Sequence, residues 1–106
     1  MDEPAADRAG QLRQEYHSQT AKLPWTDLQV HYARGAVIAV AKRCDLVDVA
    51  VQLGLDNTEL FQQWIEQGMV AGVTAEQALS WYKEGAVLWT VVAPPWVLVQ
   101  EVDAVR

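Results

Sequence analysis

The sequence predicts an α+β fold: a winged-helix-like arrangement, with helices packed on a small three-stranded antiparallel sheet. Three observations predict it. Segments with apolar residues at helical spacing, opened by cap signals and closed by glycine, fill most of residues 7–85. One short apolar run, "AVIAVAK" (36–42), interrupts them. Two runs rich in β-branched and aromatic residues, "AVLWTVVA" (86–93) and "WVLVQEV" (96–102), close the chain. A strand before a helix pair and two strands after it give the winged order; helices on one face of the sheet give its plainer form.

Taken in order, residues 1–6 are expected to form a disordered end. From Asp7 a helix is expected, with Leu12, Tyr16, Gln19 and Leu23 on one face. Pro24 ends it by disfavouring helical geometry at Leu23. Thr26 with Gln29 forms a capping box for the next helix, and Trp25 with Val30 a hydrophobic staple. Gly35 stops that helix, and residues 36–42 read as a buried strand.

Asp45 caps a helix whose inner face is Leu46, Val49, Ala50 and Leu53, with Gly54 as its break. Asp56 with Glu59 resembles another cap, ahead of the apolar face Leu60, Phe61, Trp64 and Ile65. "MVAGV" (69–73) suits a short strand, and Thr74 with Gln77 opens a last helix that Gly85 terminates. Pro94-Pro95 separates the final two runs. Two prolines cannot take the positive angles of a primed hairpin turn, so a wide or bulged corner or one bent strand is expected. The Ala93–Pro94 and Pro94–Pro95 bonds are candidates for a cis peptide.

At 106 residues the chain has apolar area for one domain, set at 7–106. Five tryptophans point to a core built on large aromatics. The net charge of −6 repels phosphate backbones and anionic lipid, so neither nucleic acid nor membrane is expected as a partner. Cys44 is the sole cysteine, no apolar run reaches membrane-span length, and "MDEPAADRAG" is unlike a signal peptide. These features imply a cytoplasmic protein.

The stretch "DLVDVAVQLGLDNTELFQQWIEQGMV" is built like a helix-turn-helix. Its second helix, "NTELFQQWIEQ", holds Glu59 and Glu66 and no Lys or Arg. The phosphate contacts that dominate nucleic-acid affinity are missing from it. His17 and His31 lie on different helices with no ligand spacing around them, so no metal is expected. No cofactor motif is present, and the paired carboxylates Asp45/Asp48 and Asp56/Glu59 are explained by helix starts. An enzyme is therefore not expected, although a site without a linear motif stays open. Cys44, after Lys42 and Arg43 and before a helix start, is a candidate reactive thiol; the plainer reading is a small residue filling a loop.

The motifs "LPWTDLQVHYARG" (23–35), "VIAVAKRCDLVDVA" (37–50), "QALSW" (77–81) and "LWTVVAPPWVLVQE" (88–101) resemble a family of short bacterial proteins known only as a domain of unknown function. The family's last motif has a single proline, so Pro94-Pro95 departs from it. The resemblance implies a small self-contained domain and brings no activity, cofactor or catalytic residue.

The leading functional expectation is a protein-interaction or self-association module. Alternation places Val87, Trp89 and Val91 on one face, and Trp96, Leu98 and Gln100 opposite Val97, Val99 and Glu101. Both faces are largely apolar, so helices cover both or a partner meets one. Trp96 and Trp89 are the expected contact residues, with Pro94 and Pro95 as a corner protecting an open edge. The rivals are a winged-helix nucleic-acid regulator and a small-molecule-binding domain.

Overall fold

The computed structural model describes residues 5–102. Helix α1 spans Ala5–Gln19, β1 Ala21–Pro24, α2 Trp25–Ala33, β2 Val37–Val40 and α3 Leu46–Gly54. Then come α4 Thr58–Glu66, β3 Val70–Gly72, α5 Ala75–Glu84, β4 Val87–Ala93 and β5 Trp96–Glu101. The expected disordered end falls mostly on residues 1–4, outside the described residues; Ala5 and Ala6 already belong to α1.

The fold is α+β, but the sheet differs from the expected one. It has five strands in the order β1-β4-β5-β2-β3 and is mixed. β2 runs parallel to β5, with Ile38 opposite Leu98, and the other neighbours are antiparallel. The expected three strands are all present, flanked by one strand on each side. β3 was anticipated, whereas β1 was read as the end of the first helix. Thr20 explains the difference: its N–H donates to the His17 carbonyl and its hydroxyl to the Tyr16 carbonyl, closing α1 one turn early. The restriction that Pro24 places on Leu23 then favours an extended segment, which pairs with β4.

Helices cover both faces, not one. On one side α1, α3 and α4 bury Tyr16, Val49 and Ala50 against Ile38, Val91 and Leu98. On the other, α2 and α5 bury Trp25, Leu28 and Trp81 against Val37, Leu88, Val97 and Val99. β5 is central in this sandwich, and Leu98 and Val99 are each fully buried on opposite faces. Such a side chain contributes about 1.5–3 kcal/mol through burial, which is why β5 reads as a nearly continuous apolar run.

Two expected caps form. Asp45 Oδ1 accepts from the N–H groups of Val47 and Asp48, and Thr74 with Gln77 makes the full capping box. Two others move. α2 starts at Trp25, whose N–H donates to the Ala86 carbonyl, so the Thr26–Gln29 box is not used. Val30 is 66% exposed while Trp25 is buried, so the staple is absent too. The cap of α4 is Asn57, not Asp56; Asp56 takes a left-handed turn conformation with φ 58°.

Gly54 is the last residue of α3 and does more than break it. A Cβ there would lie 2.8 Å from the Tyr16 hydroxyl and 3.1 Å from Leu12, so its bareness lets α1 lie against α3. The Pro94–Pro95 peptide is cis, and β4 and β5 form a hairpin with Ala93 opposite Trp96. The expected wide corner is thus a two-residue turn, with the cis proline where type VI turns carry it. The hairpin is flanked over most of its length: β1 pairs with Val87–Thr90 of β4, and β2 with Val97–Gln100 of β5. Next to the corner, Val91–Ala93 of β4 have no strand on the side away from β5, and the outermost strands of the sheet are the short β1 and β3.

Candidate functional site

The residues singled out in sequence fall into two places on the face covered by α1, α3 and α4. The first is a cleft of about 470 Å³ lined by His17, Thr20, Cys44, Asp45, Trp89 and Gln100, among others. Gln100 organises it. Its side-chain amide donates to the Ala41 carbonyl at 2.8 Å and to the Cys44 carbonyl at 2.7 Å, fixing the loop between β2 and α3. Cys44 is half-buried against the core. Of the cations next to it in sequence, Lys42 pairs with Glu101 at 3.9 Å, and the Asp45 carboxylate occupies the start of α3. Trp89 forms another wall, with the Lys22 ammonium 4.9 Å from its ring centroid.

The second place is the proline corner. Pro94, Pro95 and Trp96 close a small cavity of about 160 Å³ against Leu53, Asn57 and Phe61. Trp89 and Trp96 share a face of the sheet at opposite ends of the hairpin, and each is 36% exposed. The four expected contact residues therefore do not form one patch.

The histidines are separated as well. His17 lines the Cys44 cleft, while His31 lies on α2 beyond the sheet and accepts a bond from Arg34 at 2.9 Å. Among the described residues no three of His, Cys, Asp and Glu gather as metal ligands.

A further surface lies on the opposite layer. α5 turns Trp81 inward, and its indole N–H donates to Glu101 at 3.0 Å. Trp81 meets Trp25 edge-on, with ring centroids 5.1 Å apart, and Tyr32 tilts on Trp25 at 5.5 Å. This aromatic cluster anchors α2 to α5. Between the two helices runs a groove of about 360 Å³, lined by Trp25, Gln29, Tyr32, Ala78, Leu79 and Tyr82. Leu79 and Tyr82 are 54% and 58% exposed.

Residues 11–101 match the family described as "Protein of unknown function (DUF2288)". The chain belongs to this family. It is also similar to a solved structure, the NMR solution structure of PA1075 from Pseudomonas aeruginosa. The two share 31% identity over 97% of this chain and 95% of that one, with a TM-score of 0.78. No curated protein matches the chain. The two chains share their fold, and the DUF2288 description assigns no chemistry to any of these surfaces. No helix among the described residues is long and apolar enough to cross a membrane.

Sequence reasoning passed over Leu79 and Tyr82 and gave Val30 to a staple. One signal for the first two was present. In "AEQALSWYKE" the apolar residues Ala78, Leu79, Trp81 and Tyr82 span more of the helix than one sheet can cover. With Trp81 and Ala78 inward, Leu79 must face away.

Proposed function

We propose that this DUF2288 chain is a protein-interaction module whose contact face is the outer surface of α2 and α5. The observation that carries the reading is the exposure of Leu79 and Tyr82 on α5, on a layer whose own inner face is already packed. Apolar side chains clustered on an outer layer, with charged residues such as Glu76 and Lys83 around them, have the build of an interface. Trp89 and Trp96, the contact residues expected from sequence, are less suited, because each is less exposed than Leu79 and Tyr82 and they lie at opposite ends of the hairpin. Photo-cross-linking from position 79 in a host extract tests the proposal. Discrete adducts from that position, and none from a probe at exposed Gln63 on α4, support it. The absence of any discrete adduct from position 79 contradicts it.

A nucleic-acid role would draw on the winged-helix likeness of α3, α4 and the β4–β5 hairpin. It has less support, because α4 presents Glu59 and Glu66 and no Lys or Arg. A small-molecule role has one observation in its favour: Cys44, His17, Trp89 and Gln100 share a single cleft. A thermal-shift screen separates that reading, since ligands of the cleft should stabilise the parent chain and not Trp89→Ala.

A further inference from the structure

We infer that the partner on this face is a second copy of the chain, docked α5 against antiparallel α5 about a two-fold axis between Leu79 and Ser80. The inference rests on the α2–α5 face being the contact surface. A two-fold interface must be self-complementary: whatever residue meets another must be met by it in return. The outward ridge of α5 has this property. Glu76, Leu79, Ser80 and Lys83 follow one another at helical spacing on the side away from buried Trp81, and all four are exposed. Glu76 stands three residues before Leu79, and Lys83 three after Ser80. Reversing a second helix over the first brings Glu76 of each copy to Lys83 of the other, with the two Leu79 side chains at the axis and Tyr82 flanking them. The placement that suits the helix dipole, acid first and base last, also makes the helix complementary to its own reverse.

The remaining charge on α5 does not spoil the register. Glu84 accepts a bond from Ser80 at 3.0 Å and falls opposite Ala75 of the other copy, not opposite an acid. Two opposing effects set the strength. Each copy carries a net charge of −6, so the copies repel at long range, although screening limits this beyond about 8 Å at physiological salt. One ten-residue helix with its α2 flank also offers less than the roughly 800 Å² per partner of a standard interface. The dimer is therefore a weak one, formed at high micromolar to millimolar concentration.

Sedimentation equilibrium of the pure full chain, up to millimolar concentration at physiological salt, tests the inference. The parent chain is expected to dimerise. Glu76→Lys and Lys83→Glu, each at an exposed position, should each weaken the dimer about tenfold by replacing two attractive pairs with repulsive ones. An equimolar mixture of the two single variants should regain parental association, and so should the double variant, because each restores opposite charges at both contacts. A parent chain that stays monomeric while position 79 still cross-links to another polypeptide overturns the second copy and spares the contact face. A parental dimer indifferent to either reversal overturns the α5 pairing.

Discussion

The Gln100 side chain donates to the Cys44 carbonyl at 2.7 Å across 56 residues of sequence. The same amide nitrogen donates to the Ala41 carbonyl, so one residue of β5 holds both ends of the loop that leads into α3. The start of the loop is also held by the Ala41 N–H, which donates to the Met69 carbonyl at 2.8 Å, whereas at Cys44 the long-range bond is the one from Gln100. The position of the one thiol therefore depends on the strand that lies beside β2.

Gln100→Leu should remove both bonds and leave the Cys44 carbonyl without its donor, while the Ala41 carbonyl keeps the Cys44 N–H. The expected loss is about 1–3 kcal/mol, read as a lowered urea midpoint. Cys44 should also react faster with a thiol reagent under native conditions. Unchanged labelling would place the restraint on the thiol elsewhere.

Gly54→Ala should destabilise, although Ala in a helix is ordinarily favoured over Gly by about 1 kcal/mol. The new Cβ would sit 2.8 Å from the Tyr16 hydroxyl, in a packed contact between α1 and α3. A net loss of about 1–3 kcal/mol is expected. In a Tyr16→Phe background the oxygen is gone, and the same substitution should cost less. A double-mutant cycle by chemical denaturation reads the difference.

Burial holds the Tyr16 hydroxyl above its ordinary ionisation range, with neighbouring Glu15 adding to the effect and Arg8 opposing it. The folded chain then keeps this proton at a pH where the unfolded chain has lost it. Its contribution is complete below the unfolded value near 10 and is lost as pH rises through the higher folded value. Stability should fall above pH 10, and Tyr16→Phe should make the fall shallower. Denaturant midpoints of both chains from pH 9 to 11.5, on about half-unit steps, check the sign.

Asp56 and Asn57 make a paired test of the α4 start. Asn57→Ala should cost about 1 kcal/mol by removing the acceptor for the Leu60 N–H. Asp56→Gly should gain about 0.5–1 kcal/mol by relieving a positive φ. Were Asp56 the cap, the larger loss would come from its removal. Thermal melts of both variants decide between the two.

The sequence was informative where the physics is local. Asp45 and Thr74–Gln77 act as caps because a side chain two or three residues away needs no tertiary context. The alternation of β4 and β5 was legible for the same reason: Trp89 and Leu98 share one face, and Leu88 and Val99 the other. What depends on distant neighbours was not legible. Trp25 starts α2 because its N–H meets Ala86, sixty-one residues on, and this displaces a sound local box at Thr26. The parallel pairing of β2 with β5 leaves no trace in either strand, since an apolar run buried on both faces reads alike in any order. The site followed the same division. Cys44 and Trp89 converge in one cleft, a convergence set by the Gln100 bonds and by β4 lying next to β5. The exposure of Leu79 and Tyr82 follows only once Trp81 is known to be the inward residue.

The central claim is that the outer surface of α2 and α5 is where this protein meets its partner. Amide chemical shifts of the pure chain, compared between dilute and millimolar samples, test it most directly. The account expects concentration-dependent changes grouped at Gln29–Tyr32 and Ala75–Glu84, with the Cys44 cleft and the proline corner unmoved. Changes centred on Trp89 or Trp96, with α5 silent, would contradict it.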